Sequence, residues 1–190
     1  MVQCSTIPAI RWFRAYTSLV TDVRWLDDRE GRAWRAFLLG TQLLMDQLDR
    51  ELIQEAGIPH AYYAIMVVLS EQPYRSLRMS EIADHLRFSK SRLTHAIGRL
   101  EERGWVERVA CATDRRGQYA VLTEAGLEAL RAAAPTHVAG VREHLFDRLT
   151  PEQVEQLRVI GEAIARPLMS EELSAACAQQ PGGDVDDVRE

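Results

Sequence analysis

Cysteine is scarce in this chain: three in 190 residues, at Cys4, Cys111 and Cys177. An odd, widely spaced set does not indicate a disulfide framework, and no CxxC or Cys/His spacing indicates a zinc site. Reduced thiols of a cytoplasmic protein are the natural reading. Long apolar runs are missing too, which argues against a membrane span. The first residues carry arginines but no uninterrupted apolar stretch or cleavage site, so they do not read as a signal peptide. A Gly-rich phosphate loop, a nucleophile elbow and HExxH are also absent. The five histidines (His60, His85, His95, His137, His144) are scattered over separate predicted helices. Neither an enzyme nor a cofactor is indicated.

Excess positive charge is lacking as well, since the formal net charge is −5. That total is unpromising for a nucleic-acid binder, but the distribution of the charges matters more than their sum. Residues 171–190 hold six acids (Glu171, Glu172, Asp184, Asp186, Asp187, Glu190) against Arg189 alone. Between Arg87 and Arg116 the balance is the opposite. Eight bases (Arg87, Lys90, Arg92, Arg99, Arg103, Arg108, Arg115, Arg116) face four acids (Glu101, Glu102, Glu107, Asp114). A local excess of this kind attracts phosphate even on an acidic protein.

The rest of the composition, 46% hydrophobic and 27% charged, is that of a globular protein able to bury a core without disulfides or metal. Abundant Leu, Ala, Arg and Glu with few strand patterns predict a mainly α fold carrying a small β-hairpin. Residues 1–26 read as an N-terminal extension, poorly ordered or loosely attached. A helix capped by Asp27 or Asp28 is predicted to run to about Ala56. Its apolar stripe is Trp34, Phe37, Leu38, Thr41, Leu44, Met45, Leu48 and Leu52, and Gly57 and Pro59 stop it. His60 to Gln72 is a short apolar helix with Ile65, Val68 and Leu69 inward, ended by Pro73. Thr123 can cap a long helix that Pro135 should kink or split. Thr150-Pro151-Glu152-Gln153 is a strong start for a last helix burying Val154, Leu157, Ile160, Ile164 and Leu168. Residues 171–190 read as an acidic disordered tail.

The most informative stretch is Met79 to Thr123. Ser80 to Arg87 is a small helix, Phe88-Ser89 a turn, and Lys90 to Arg103 a second helix with Ser89 as its N-cap and Gly104 as its stop. Leu93, Ala96, Ile97 and Leu100 share one helical face. Lys90, Ser91, Arg92, Thr94, His95 and Arg99 fall away from it. These types suit a helix in a major groove: hydroxyls for phosphates, Arg and His for base edges. For this helix alone a solvated surface face is the better explanation; the short preceding helix, the tight turn and the basic hairpin that follows turn the balance to DNA. Trp105 to Ala110 and Gln118 to Leu122 form the hairpin, with a loop of about seven residues. In that loop Asp114 can hold the Arg116 guanidinium in a bidentate pair, aiming it at a minor groove, while Arg115 contacts phosphate.

Here the chain resembles the MarR family of bacterial transcriptional regulators. The family's wing pattern, Asp-x-Arg and then a strand ending in Leu-Thr, is met by Asp114, Arg116 and Val121-Leu122-Thr123. Ala120 departs from it, standing where the family often has Val. The stretch from Leu100 to Arg108 is similar to the family's helix-to-wing junction, and the likeness in element order covers about Trp25 to Met169. The resemblance implies a winged helix-turn-helix with a helical dimerisation lobe: residues 27–170 as the MarR-like domain, 59–123 as the DNA-binding lobe, 27–58 and 124–170 as dimerisation helices. It implies a cytoplasmic homodimeric repressor on a pseudo-palindromic double-stranded operator, released by a small phenolic, apolar or antibiotic-like effector. By sequence order the effector site draws on Trp34, Phe37, His60, Tyr62, Tyr63 and Met66, residue types that equally serve a core. Two other readings stand beside this one. A winged-helix dimerisation or protein-interaction module would bind no DNA, and a cysteine-based redox sensor would use Cys111 at the wing, since Cys4 lies too far ahead of the first secure helix.

Overall fold

The computed structural model describes residues 23–110 and 118–169. The predicted extension (its first 22 residues), the tip of the wing and the acidic tail therefore lie outside the described residues. So do all three cysteines. The contacts divide the chain into two units, Met1–Gln42 and Leu43–Glu190, and each is taken by itself.

Helix α1 (Asp28–Ala56) begins in the first unit. Asp27 caps it: the Glu30 N–H donates to Asp27 Oδ1 at 2.7 Å, and the Asp27 N–H donates to Glu30 Oε2 at 2.9 Å. Trp34 and Phe37 stack with ring centroids 6.3 Å apart. Their predicted burial is not observed: Trp34 is 49% and Phe37 48% exposed, and Leu38 is exposed as well. The period marks a face that seeks burial, but the described residues do not cover it.

In the second unit α1 ends as predicted. Leu48 and Leu52 are buried, and Gly57 (φ 67°) leaves the helix in the left-handed region open to glycine. Pro59 then leads into α2 (His60–Ser70), whose His60 N–H donates to Asp49 Oδ1 at 2.8 Å. Ile65, Met66 and Leu69 are wholly buried; Val68, expected inward, is half-buried. After Pro73 comes a strand the sequence did not announce, β1 (Ser76–Arg78). Helices α3 (Met79–Leu86) and α4 (Lys90–Glu102) follow, then strands β2 (Val106–Ala110) and β3 (Gln118–Leu122). The sheet is antiparallel in the order β1-β3-β2, with Leu77 opposite Ala120 and Arg108 also opposite Ala120. The predicted pair of strands is present as β2 and β3, and β1 adds a third. Three residues are too few to show a period, and only the edge of β3 makes them a strand.

Gly104 (φ 70°) stops α4 as expected, with the Trp105 N–H reaching back to the Leu100 carbonyl at 3.0 Å. One core joins Leu52, Ile65, Met66, Ile82, Leu93, Ile97, Leu100, Val106, Ala120 and Leu122 to Leu127, Leu130 and Ala133 of α5 (Glu124–His144). Thr123 caps α5 through its hydroxyl, which accepts the Gly126 N–H at 3.0 Å. Pro135 does not split this helix.

Helix α5 runs antiparallel to the second half of α1, and three contacts four residues apart record it. The Thr136 hydroxyl donates to Glu55 Oε2 at 3.1 Å. A Cβ on Gly140 would stand 2.5 Å from Glu51 Oε2 and 2.9 Å from Leu48 Cδ2. His144 Nε2 lies 2.6 Å from Glu51 Oε1. Helix α6 (Pro151–Ala165) has the expected reciprocal cap, with Thr150 and Gln153 each accepting the other's N–H. It buries nothing, against expectation: Val154 is half-buried, Leu157, Ile160, Ile164 and Leu168 are exposed, and Ile160 reaches 53%. Among the described residues no single helix is long and apolar enough to cross a membrane.

Candidate nucleic-acid interface

Helix α4 divides as its sequence predicts. Leu93, Ala96, Ile97 and Leu100 are buried, while Lys90, Ser91, Arg92, Thr94, His95 and Arg99 are all exposed together with Ser89. Ser89 caps the helix, its Oγ accepting the Arg92 N–H at 3.2 Å and standing 3.2 Å from Ser91 Oγ. Thr94 turns its hydroxyl onto the Lys90 carbonyl at 2.8 Å. The first turn holds two cations, Lys90 and Arg92, and no acid. Free N–H groups already make that end of a helix positive, so cations there oppose the helix dipole and an anion there would relieve it.

The positive patch is smaller than the sequence count, because two of its eight bases turn onto the protein. Arg103 donates to the Gly57 carbonyl at 3.0 Å and lies over the Trp105 ring at 4.8 Å. Arg108 donates to the Thr94 carbonyl at 3.0 Å and stands 3.4 Å from Glu101 Oε2, bracing β2 against α4. Arg99 is paired with Glu102 at 2.7 Å, and that hydrogen bond holds its guanidinium more firmly protonated than usual. Arg92 lies over the Phe88 ring at 4.0 Å. Strand β1 adds a cation absent from the sequence-based set. Arg78 faces Tyr119 across the sheet, its Nε donating to the Tyr119 hydroxyl at 3.0 Å. Nothing local to Arg78 signals this, since the pairing depends on β1.

Asp114, Arg115 and Arg116 lie outside the described residues, so their proposed pairing is not visible. The strand ends beside them are placed: Ala110 is opposite Gln118.

The candidate effector residues are divided between the two units, and each set is described by itself. Trp34 and Phe37 belong to the first unit. Met66 is wholly buried in the core, and Tyr62 packs against it half-buried. His60 and Tyr63 do come together, around a residue outside the set, His137 of α5. Ring centroids are 5.4 Å apart for His60–His137, 4.7 Å for Tyr63–His137 and 6.4 Å for His60–Tyr63. Burial pushes both imidazoles below the usual histidine pKa, and His60 lowers His137 further. Burial pushes the Tyr63 phenol up. Buried His137 Nδ1 has no hydrogen-bond partner among the described residues. A separation of 77 positions between His60 and His137 hid this meeting from the sequence.

Comparison with known proteins follows the same stretch. The sequence model of the MarR family matches residues 56–117. Transcriptional repressor MprA of Escherichia coli (strain K12) is 31% identical over 120 residues, 63% of this chain and 65% of its own length. The match therefore spans slightly less than two thirds of that relative. Two solved structures from Streptomyces coelicolor are nearer. Sco3205, a MarR family transcriptional regulator in complex with DNA, is 47% identical, with 80% of this chain and 96% of that one covered and a TM-score of 0.75. AbsC, a regulator of the same family, is 45% identical, with 77% and 98% covered and a TM-score of 0.71.

Proposed function

The chain belongs to the MarR family of transcriptional regulators, and from that premise we propose that it is a homodimeric repressor of a pseudo-palindromic double-stranded operator. The observation that carries this reading is the exposed face of α4 from Ser89 to Arg99, where every exposed residue is polar or basic and none is an acid. Ser89, Ser91 and Thr94 serve phosphates and Lys90 adds charge; Arg92, His95 and Arg99 face base edges. Asp114, Arg115 and Arg116 form the wing's contact, Arg116 in the minor groove. That the 47% identical Sco3205 was crystallised with DNA supports the assignment. The protein acts where the DNA is, in the cytoplasm.

In this reading residues 59–123 are the DNA-binding lobe, and 27–58 with 124–170 supply the dimer contacts. Exposed apolar faces support it within each unit: Trp34, Phe37 and Leu38 in the first, Ile160, Ile164 and Leu168 in the second. Surfaces of this kind mark an interface rather than a monomer's exterior. A two-fold dimer would read half-sites about one helical turn apart. An aromatic or apolar effector, phenolic or antibiotic-like, is assigned to the residues near His60 and Tyr63, with Tyr62, Met66, Trp34 and Phe37 as the further candidates.

The test is selection of duplexes from a random-sequence pool at fixed salt, with the stoichiometry of the complex measured by sedimentation. A palindromic consensus bound by two chains is expected. No enrichment over the starting pool would refute DNA reading, and enrichment of a single half-site by one chain would refute the dimer. A phenol and antibiotic panel that leaves operator affinity unchanged would remove the effector.

A further inference from the structure

We propose that Phe88 is a positioning residue for base recognition: its ring holds the Arg92 guanidinium in the direction it reads DNA without cancelling its charge. The inference rests on the DNA-reading role proposed for α4 and adds a residue outside the expected contact set.

Phe88 occupies the turn between α3 and α4, one residue before the Ser89 cap. That turn is tightly fixed. Arg87 adopts the left-handed conformation (φ 53°), uncommon for a side chain of its size, and the Phe88 N–H donates to the Ala83 carbonyl at 2.9 Å. The Phe88 ring packs half-buried against the core. A guanidinium 4.0 Å from its centroid therefore rests on a surface that does not move with solvent-exposed side chains.

The neighbouring arginines show why a ring differs from the other ways of fixing a cation. Arg99 is held by Glu102, and Arg108 by Glu101 together with the Thr94 carbonyl. A carboxylate clamp fixes direction but cancels charge, and its own negative charge repels phosphate. A carbonyl occupies the donors a guanine would need. The ring face attracts the cation through its quadrupole, adds no net charge and leaves the guanidinium edge open. Arg92 also sits in the first turn of α4, where the dipole repels a cation, so an unsupported side chain would swing away. Restricting it before binding lessens the ordering cost at the moment of recognition, and that gain goes to the matching duplex.

The experiment uses the full chain, a duplex selected by the wild type from a random pool, and a scrambled duplex of equal length. Anisotropy at one salt concentration gives the ratio of the two affinities. Phe88→Leu should lower that ratio by about five- to tenfold while changing scrambled-duplex affinity by less than about twofold. Phe88→Trp, which keeps a ring face, should restore it. In an Arg92→Ala background Phe88→Leu should cost nothing further. Equal losses on both duplexes, an unchanged ratio, or the same loss without Arg92 would each overturn the positioning role. If Arg92→Ala itself leaves the ratio intact, base reading by Arg92 fails and takes this inference with it. If Arg92→Ala lowers the ratio and Phe88→Leu does not, the inference alone fails.

Discussion

Replacing Gly126 by alanine should reverse the sign of an ordinary helix substitution. Inside a helix Gly→Ala stabilises by up to about 1 kcal/mol, because glycine loses more backbone freedom on folding. Gly126 lies in the first turn of α5, where a Cβ would stand 2.2 Å from the Trp105 carbonyl oxygen and 2.8 Å from Leu122 Cδ1. That carbonyl is not free to turn aside. It accepts the Thr123 N–H at 3.0 Å, while the Thr123 hydroxyl donates to the Gly104 carbonyl at 2.7 Å and accepts the Gly126 N–H at 3.0 Å. A clash with pinned backbone belongs at the upper end of the overpacking range, about 3 kcal/mol. Opening the Thr123–Trp105 hydrogen bond adds about 1 kcal/mol, and the propensity gain offsets about 1. The net loss is about 3 kcal/mol, which for a chain of this size lowers Tm by roughly 6–12 °C. Circular dichroism melts at fixed protein concentration measure it. Gly98→Ala is the control: its Cβ would meet Arg108 Nη2 at 3.7 Å, an ordinary contact, so it should gain about 0.5–1 kcal/mol. A Gly126→Ala protein as stable as wild type would refute the reasoning.

Arg103→Ala should cost about 1–2 kcal/mol in urea titrations through the lost Gly57 bond and Trp105 contact, yet leave the salt dependence of DNA binding unchanged. Lys90→Ala should do the converse, keeping stability and reducing the slope of log K against log salt by about 0.9 per protomer. His60 and His137 are held below 6.5 by burial, so the folded state takes up fewer protons than the unfolded. Their contribution is full above pH 6.5 and is lost as pH falls; His137→Leu should flatten the urea midpoint between pH 7 and 5. Glu51 is held below 4.5 by its hydrogen bonds to Gln47 and His144, so its contribution is present above pH 4.5 and lost below it. Glu51→Gln should remove that acid-side slope and leave the histidine window intact.

Local signals were legible in the sequence and distant ones were not. Thr150 with Gln153, Ser89, Gly57 and Gly104 announce helix ends because a cap is settled within four residues. The two faces of α4 follow from a period of 3.6. Strand β1 was hidden because its partner is β3, some forty residues on. Arg103 and Arg108 carry no mark that separates them from DNA-facing arginines, since their partners are backbone carbonyls fixed by the fold. The stripes on α1 and α6 declare that a face needs burial and are silent on what covers it.

Charge counting and geometry lead to different pictures of how an acidic protein holds DNA. The count gives a diffuse patch, yet Arg103 and Arg108 serve the fold, and Arg99 brings Glu102 with it. What remains on α4 is concentrated in the first turn, where Lys90 and Arg92 stand at the positive end of the helix with no acid in that turn. For folding alone this is the wrong end for cations. A rule broken locally, with no acid in the same turn, is what a functional site leaves behind. The missing negative charge is what a phosphate backbone supplies. The α4 terminus should therefore be strengthened when DNA binds, and the acidity of the whole chain matters less than the local balance there.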